Sequence, residues 1–409
     1  MKMVPDPLKG KKIILGVTGG IAAYKSAILI RGLVSRGAEV RVIMTPSALE
    51  FITPLTLSTL SSNPVVVNTF PVSQKNGVDL QTWHIEYALW ADAAIISPAT
   101  VNTIAKIVHG FADNALTSVI MALRCPLIVA PAADTDMYNN PITQKNITEL
   151  KNYGAFVVEP ENGFLASGLS GIGRMANTDK IIDAAEIVLS GYKKDLNGKK
   201  ILVTAGPTLE DIDPVRFIGN RSSGKMGYAI AKAAFLRGAD VTLISGPTAE
   251  KIYPEINLVK IRSAAQMKNA VESHIKKNDA LIMAAAVADY KPAKYSGSKI
   301  KKEQNLKSLA LTTTDDILAS LKKDDKIIVG FALETENEIK NADKKLKSKN
   351  LDFIVLNSLK DSGAAIENDT NKITILYPKG SKQTGKKQFP LLSKFQTANN
   401  ILNELKKLF

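Results

Sequence analysis

Six consecutive residues, Asn220-Arg221-Ser222-Ser223-Gly224-Lys225, combine an amide, two hydroxyls, a glycine and two cations. That set suits phosphate: N–H groups, hydroxyls and a lysine donate, and the glycine lets the backbone approach. The spacing is neither a Walker A loop nor G-x-G-x-x-G. On spacing alone, a helix N-cap backed by a glycine explains it equally well. Three further sets could take part in chemistry. Gly19-Gly20 permits close approach of backbone to a phosphate or ring. His84 has an imidazole suited to proton transfer near neutrality. Ala285, Ala286 and Asp289 follow a short apolar run.

The elements that must position these residues are legible from periodicity. Ile201-Leu202-Val203-Thr204 reads as a buried strand, a long polar loop runs to Gly224, and a helix starts near Lys225. The next strand, 240–244, ends in a second Gly-Pro-Thr at Gly246. The N-terminal half repeats the scheme. A strand at 11–15 meets the turn at Gly19-Gly20, a helix runs to Arg36-Gly37, and a strand at 39–44 ends in Thr45-Pro46-Ser47. Strands at 93–96 and 127–129 both end in Pro-Ala. In the second half, strands at 280–284, 327–330 and 353–356 are followed by an edge strand at 372–377, a basic loop at 379–387 and a closing helix from about 393 to 408. Each half is thus expected to be a doubly wound α/β domain with its ligand loops at the carboxyl ends of strands. The polar stretch at 193–200 separates them, which sets the domains at 1–192 and 193–409. The Lys-Lys-Ile motifs before both first strands mark two similar domains rather than a true repeat.

Composition narrows the function. The 409 residues are 45% hydrophobic and 22% charged, ordinary for a globular protein. One cysteine, Cys125, excludes a disulfide framework and fits a reducing compartment, and three scattered histidines argue against a histidine zinc site. No apolar leader and no 18-residue apolar run is present, so the expectation is a cytoplasmic protein without a membrane partner. The net charge of +14 would suit nucleic acid, but the lysines lack interleaved aromatics and no nucleic-acid motif accompanies them. Phosphorylated small molecules explain the excess at least as well.

Gly206-Pro207-Thr208, Asp213-Pro214-Val215-Arg216 and the run from Asn220 to Gly227 resemble the ligase half of the bifunctional phosphopantothenoylcysteine decarboxylase / phosphopantothenate–cysteine ligases. The resemblance implies that 4'-phosphopantothenate is activated by CTP and Mg2+ to an acyl-cytidylate, which cysteine then attacks. It implies that Asn220 holds the acyl-phosphate intermediate and Lys299 neutralises phosphate charge. CTP is expected at Ser222, Ser223, Gly224, Lys225, Ala285, Ala286, Asp289, Lys299, Asp315, Asp316, Ile317, Leu318, Phe331, Lys345 and Lys349. Lys345 and Lys349 are spaced to share one helical face. No carboxylate constellation for a metal is evident, as expected if Mg2+ rides on the nucleotide phosphates.

Residues from 11 to about 190 resemble the flavin-dependent cysteine decarboxylases. The resemblance implies FMN at Gly19, Gly20, Ile21, Ala22, Thr45, Ser97, Ala99, Thr100 and Asn102, and a catalytic histidine at His84 within Trp83-His84-Ile85-Glu86. Two positions depart from the family pattern. Asp134 stands where an asparagine holds the substrate carboxylate, near Met137, and Ser167 stands where a cysteine supplies an acidic thiol. An ionised aspartate repels a carboxylate, and a serine hydroxyl is a far weaker acid than a thiol.

The reading is therefore a two-domain enzyme of coenzyme A biosynthesis, a ligase joined to an FMN decarboxylase. The alternative keeps the ligase and makes the flavin domain a silent oligomerisation scaffold. The resemblance also implies trimeric flavin domains joined to dimeric ligase domains, which would give a homo-oligomer of twelve chains. A two-Rossmann nicotinamide oxidoreductase lacks G-x-G-x-x-G in either half, and a nucleic-acid binder lacks a motif.

Overall fold

The computed structural model describes residues 6–70, 72–73, 77–78, 82–301, 308–321, 323–358, 368–380 and 385–409. The chain divides into two compact units, the first ending at Gly191 and the second beginning at Tyr192.

In the first unit six parallel strands run in the spatial order Val65–Val66, Glu39–Met44, Lys12–Val17, Ala93–Ala99, Leu127–Pro131, Phe156–Val157. The β-branched and aliphatic runs pack on both faces, because alternate side chains leave a strand on opposite sides. Ile13, Leu15 and Val17 join Leu29, Leu33 and Ile182 in one core. Ile14 joins Ile96, Ile104 and Leu116 in the other. Burying each such side chain contributes on the order of 2 kcal/mol, so the sheet is the rigid part and its loops are the adaptable part.

The second unit repeats the order with Asn257–Lys260, Asp240–Ser245, Lys200–Ala205, Ala280–Met283, Ile327–Glu334 and Phe353–Ser358, all parallel. Ile373–Leu376 and Lys386–Gln388 extend it antiparallel. In each unit the strand order reverses between the first and fourth strands, the topological switch point at which doubly wound sheets bind ligands.

Four expectations need correction. The segment from Ile373 is not an edge strand, because it pairs on both sides and Lys386–Gln388 takes the edge. The polar loop before Gly224 contains a short antiparallel ladder, Leu209–Asp211 with Phe217–Gly219. The fourth strand of the first unit continues through Ala99, which pairs with Pro131 past an irregularity after Ile96. The strand at 327 runs on to Glu334, so Phe331 lies in a strand rather than in the loop after it. The N-terminal unit also has an antiparallel hairpin, Glu161–Phe164 with Ser170–Arg174, that polar and glycine-rich sequence did not signal.

Candidate functional sites at the two switch points

In the second unit the Lys200–Ala205 strand ends at Gly206, whose φ of +73° suits only glycine without strain. Its carbonyl accepts from Ala286 N at 2.9 Å, and Thr208 N donates to Ala286 O at 3.2 Å, so the loops after the first and fourth strands are stitched together. The Thr208 hydroxyl accepts from Ala288 N at 2.9 Å. Gly224 caps the Lys225–Leu236 helix at φ +79°, and the helix sits close on the sheet because Gly227 lacks a side chain. A Cβ there would lie 2.5 Å from the Cβ of Ala205.

These loops enclose a cleft of about 570 Å3. Asn220, Ser222, Ser223, Gly224, Lys225, Ala285, Ala286, Asp289, Asp315, Asp316, Ile317, Leu318, Phe331, Lys345 and Lys349 all line it. The Asn220 amide is aimed by its bond to Val287 O at 2.9 Å. Several cations are held by carboxylates at the rim. Lys345 bonds Glu334 at 2.8 Å, Lys349 lies 3.2 Å from Asp316, and Lys225 bonds Asp369 at 2.6 Å. The hydrogen bond from Lys268 holds the Asp315 carboxyl below the usual carboxylate range.

Lys299 is the exception, because it does not line this cleft. Its neighbour Ile300 is fixed elsewhere. Ile300 N donates to Asp213 Oδ2 at 3.2 Å, and Arg216 donates to Ile300 O at 2.5 Å. Asp213 itself is buried and accepts from Val215 N and Arg216 N, both at 2.8 Å, so the Asp-Pro-Val-Arg segment is an anchor for the lysine loop. Among the lining residues that sequence reasoning did not assign to the site are Asn357, Asn371 and Lys394. All three lie late in the chain, where no motif marks them.

In the first unit Gly19 and Gly20 follow the first strand, and Ile21 and Ala22 open a 3-10 turn, Ile21–Tyr24. A Cβ on Gly19 would lie 2.5 Å from Ser47 Cβ and 2.8 Å from its backbone, so the turn after the first strand presses on the turn after the second. Thr18 ties it to the fourth strand: its hydroxyl donates to Pro98 O at 2.8 Å and accepts from Thr100 N at 3.1 Å. Thr100 caps the Val101–Val108 helix, which carries Asn102 in its first turn. Ser97 and Ala99 are fully buried, and the Ser97 hydroxyl points to the sulfur of Met175 at 3.4 Å. They shape the turn from beneath. Thr45 is buried, and its hydroxyl has no hydrogen-bond partner among the described residues. A polar ligand seated against these three turns would satisfy that hydroxyl, so the donor set fits a flavin.

His84 is the second residue of the Trp83–Trp90 helix, which returns from the carboxyl edge of the sheet to the start of the fourth strand. It stacks edge-on against Trp83 with ring centres 6.0 Å apart. Asp134 caps the Thr135–Asn139 helix, accepting weakly from Asp136 N at 3.4 Å, and Met137 is half exposed. Ala133 N donates to Gly173 O at 3.0 Å, which brings the hairpin arm beside Asp134. Ser167 is exposed at the hairpin tip, where its hydroxyl accepts from Leu169 N at 3.4 Å.

Comparison with known proteins decides the family. Residues 1–189 match the Flavoprotein family model, and residues 196–408 match the DNA/pantothenate metabolism flavoprotein C-terminal domain. The coenzyme A biosynthesis bifunctional protein CoaBC of Bacillus subtilis (strain 168) is 42% identical over 405 residues, 98% of this chain and 98% of that protein. The chain belongs to the bifunctional phosphopantothenoylcysteine decarboxylase / phosphopantothenate–cysteine ligase family. The CoaBC protein of Borreliella burgdorferi is also 42% identical, over 97% of this chain and 99% of that one. A cysteine/cysteine sulfinic acid decarboxylase from an unknown prokaryotic organism is 46% identical over 363 residues, 87% of this chain and 98% of that protein. Members of this family pair a flavin-dependent decarboxylase with a ligase in coenzyme A biosynthesis, and this chain has both halves. No helix among the described residues is long and apolar enough to cross a membrane.

Proposed function

We propose that the second unit joins 4'-phosphopantothenate to cysteine at the expense of CTP, and that the first decarboxylates the resulting 4'-phosphopantothenoylcysteine. One observation carries the ligase reading: every expected CTP contact except Lys299 lines one cleft at a switch point. In the first step a carboxylate oxygen attacks the α-phosphorus and pyrophosphate leaves. In the second the cysteine amine attacks the acyl carbon and CMP leaves. Neither step needs a protein nucleophile, so catalysis is positioning and charge neutralisation. Ser222, Ser223 and Lys225 at the helix N-terminus hold phosphate, and Mg2+ accompanies the nucleotide. Asn220, aimed by Val287, both donates and accepts at the acyl phosphate. Phe331 and the Asp315–Leu318 turn face the base and ribose. With purified protein, CTP should support formation of 4'-phosphopantothenoylcysteine and CMP, whereas ATP and UTP should not. Equal use of all three would overturn the CTP assignment.

In the first unit Gly19, Gly20, Thr45 and Thr100 would hold FMN, which would supply reversible two-electron redox chemistry at the substrate thiol. His84 takes and returns the proton, and the hairpin bearing Ser167 covers the substrate. The exposed stripe Ile21, Tyr24 and Ile28 beside the glycine turn supports burial against further copies of the chain, in a cytoplasmic homo-oligomer of twelve.

Asp134 supports a second substrate for the same flavin site. Phosphopantothenoylcysteine has an acylated nitrogen and offers only a carboxylate near this position, which an aspartate repels. Free cysteine carries an ammonium beside its carboxylate, and an aspartate pairs with it. The amino-acid decarboxylase named above agrees with this chemistry. Cysteamine formed from free cysteine without CTP would establish it, and its absence at millimolar cysteine would exclude it.

A further inference from the structure

Two helices begin at one end of the ligase cleft, Lys225–Leu236 and Lys394–Lys406, and they pack against each other. Each has a lysine at its first position, and both lysines line the cleft. A helix N-terminus already carries about half a positive charge on unpaired N–H groups. A lysine there opposes the helix it starts. Lys394 is the sharper case. It is only 7% exposed, and the charges around it include Lys225, which repels it, and Asp369 and Glu250, which attract it. Burial, and then Lys225, push its amine below the usual lysine range. Both lysines thus stand where the helix N-termini disfavour a cation and where a bound anion would be stabilised.

Asn371 provides an independent observation. It is 2% exposed and lines the same cleft. Among the described residues its Nδ2 reaches only the sulfur of Met226, at 3.5 Å, and its Oδ1 has no hydrogen-bond partner. A thioether is so weak an acceptor that the amide can turn over and present its N–H groups to an anion. Meanwhile the exposed Asp369 carboxylate bonds Lys225 at 2.6 Å, an anion already at the mouth of the site.

We propose that Lys394 and Asn371 form a second wall of the phosphate site, so that a phosphate group is clamped between two helix N-termini and takes the place of Asp369 on Lys225. The identity of the ligand rests on the ligase reading, whereas the existence of the anion site does not. Two sources share the required chemistry, the polyphosphate of the nucleotide and the phosphomonoester of the acid substrate.

Titration calorimetry of the full-length protein with inorganic pyrophosphate, CTP and 4'-phosphopantothenate separates them. Lys394→Met should weaken pyrophosphate and CTP binding at least about tenfold. Weakening confined to 4'-phosphopantothenate would assign the same clamp to the acid's phosphate. Affinities within about twofold of wild type for all three, or wild-type protein that binds none of them, would overturn the proposal. If Lys394→Met does not fold, Asn371→Asp puts a negative charge on the same wall, and it should weaken binding to a similar extent. Unchanged affinity there overturns the clamp. Pyrophosphate binding that depends on Lys394, in a protein that makes no 4'-phosphopantothenoylcysteine, would sink the ligase reading and leave the clamp standing.

Discussion

At the residue scale the two sites differ in how far their side chains are preset. Asn220 is exposed, yet its amide is already oriented by Val287 O. Truncating it removes a donor aimed at developing charge, an effect on the order of 100- to 1,000-fold in rate. Asn220→Ala should therefore lose ligation by about that factor while CO2 release from added 4'-phosphopantothenoylcysteine stays unchanged, as read by paired product assays. Loss of both would place Asn220 in folding rather than chemistry. The residues of this cleft were legible because a long run from Gly206 to Gly227 carries family spacing. Asn371 and Lys394 were not, because a lone asparagine and a lone lysine in a lysine-rich tail look like surface. Only burial marks them.

At the element scale the phosphate end depends on how closely one helix sits on the sheet. Gly227→Ala would place a methyl 2.5 Å from Ala205 Cβ and 2.8 Å from Thr204 O. The helix must retreat, at about 1–3 kcal/mol. Its N-terminus retreats with it, so CTP affinity should fall together with the melting temperature. A variant that melts like wild type and binds CTP normally would contradict the close packing. The Lys394–Lys406 helix is anchored differently. Glu404, almost fully buried, accepts from Tyr377 Oη, Lys387 Nζ and Lys407 Nζ, each at 2.6 Å.

Burial of Glu404 opposes ionisation, but the bonds from Lys387, Lys407 and Tyr377 outweigh it and hold its pKa below the ordinary carboxylate value. The stabilisation is thus present above the unfolded value near 4.5 and is lost as pH falls through the lower folded value. Because both lysines are half exposed, Glu404→Gln should cost about 1–2 kcal/mol at neutral pH. The variant should also flatten the acid limb of the stability curve below pH 4.5, read by urea denaturation across pH. An unchanged acid limb would remove Glu404 from that role. The strand–loop–helix–strand units were readable from periodicity alone. Short ladders such as Glu161–Phe164 with Ser170–Arg174 and Leu209–Asp211 with Phe217–Gly219 were not, because such short strands give no alternating signal.

At the scale of the whole molecule, two units with separate cores each repeat one strand order and put their loops at the same place in it. A ligand that binds one folded unit stabilises that unit by mass action, about 2.7 kcal/mol at a hundredfold excess over Kd. Calorimetric scans should therefore show CTP raising one unfolding transition and leaving the flavin-bearing one in place. Movement of both by equal amounts would mean the units unfold together. The fold class and the switch-point location were legible from two Gly-bearing turns after similar first strands. The fate of the substrate at Asp134 and Ser167 was not, because both residues depart from the pattern that made the rest readable.

The central claim is that both halves act in sequence on one substrate. Mass spectrometry of products from purified protein, FMN, 4'-phosphopantothenate, cysteine, CTP and Mg2+ tests it most directly. The account predicts CMP, CO2 and 4'-phosphopantetheine, with 4'-phosphopantothenoylcysteine rising and then falling. A product that stops at 4'-phosphopantothenoylcysteine would contradict it, leaving a ligase whose flavin unit does not take the family substrate.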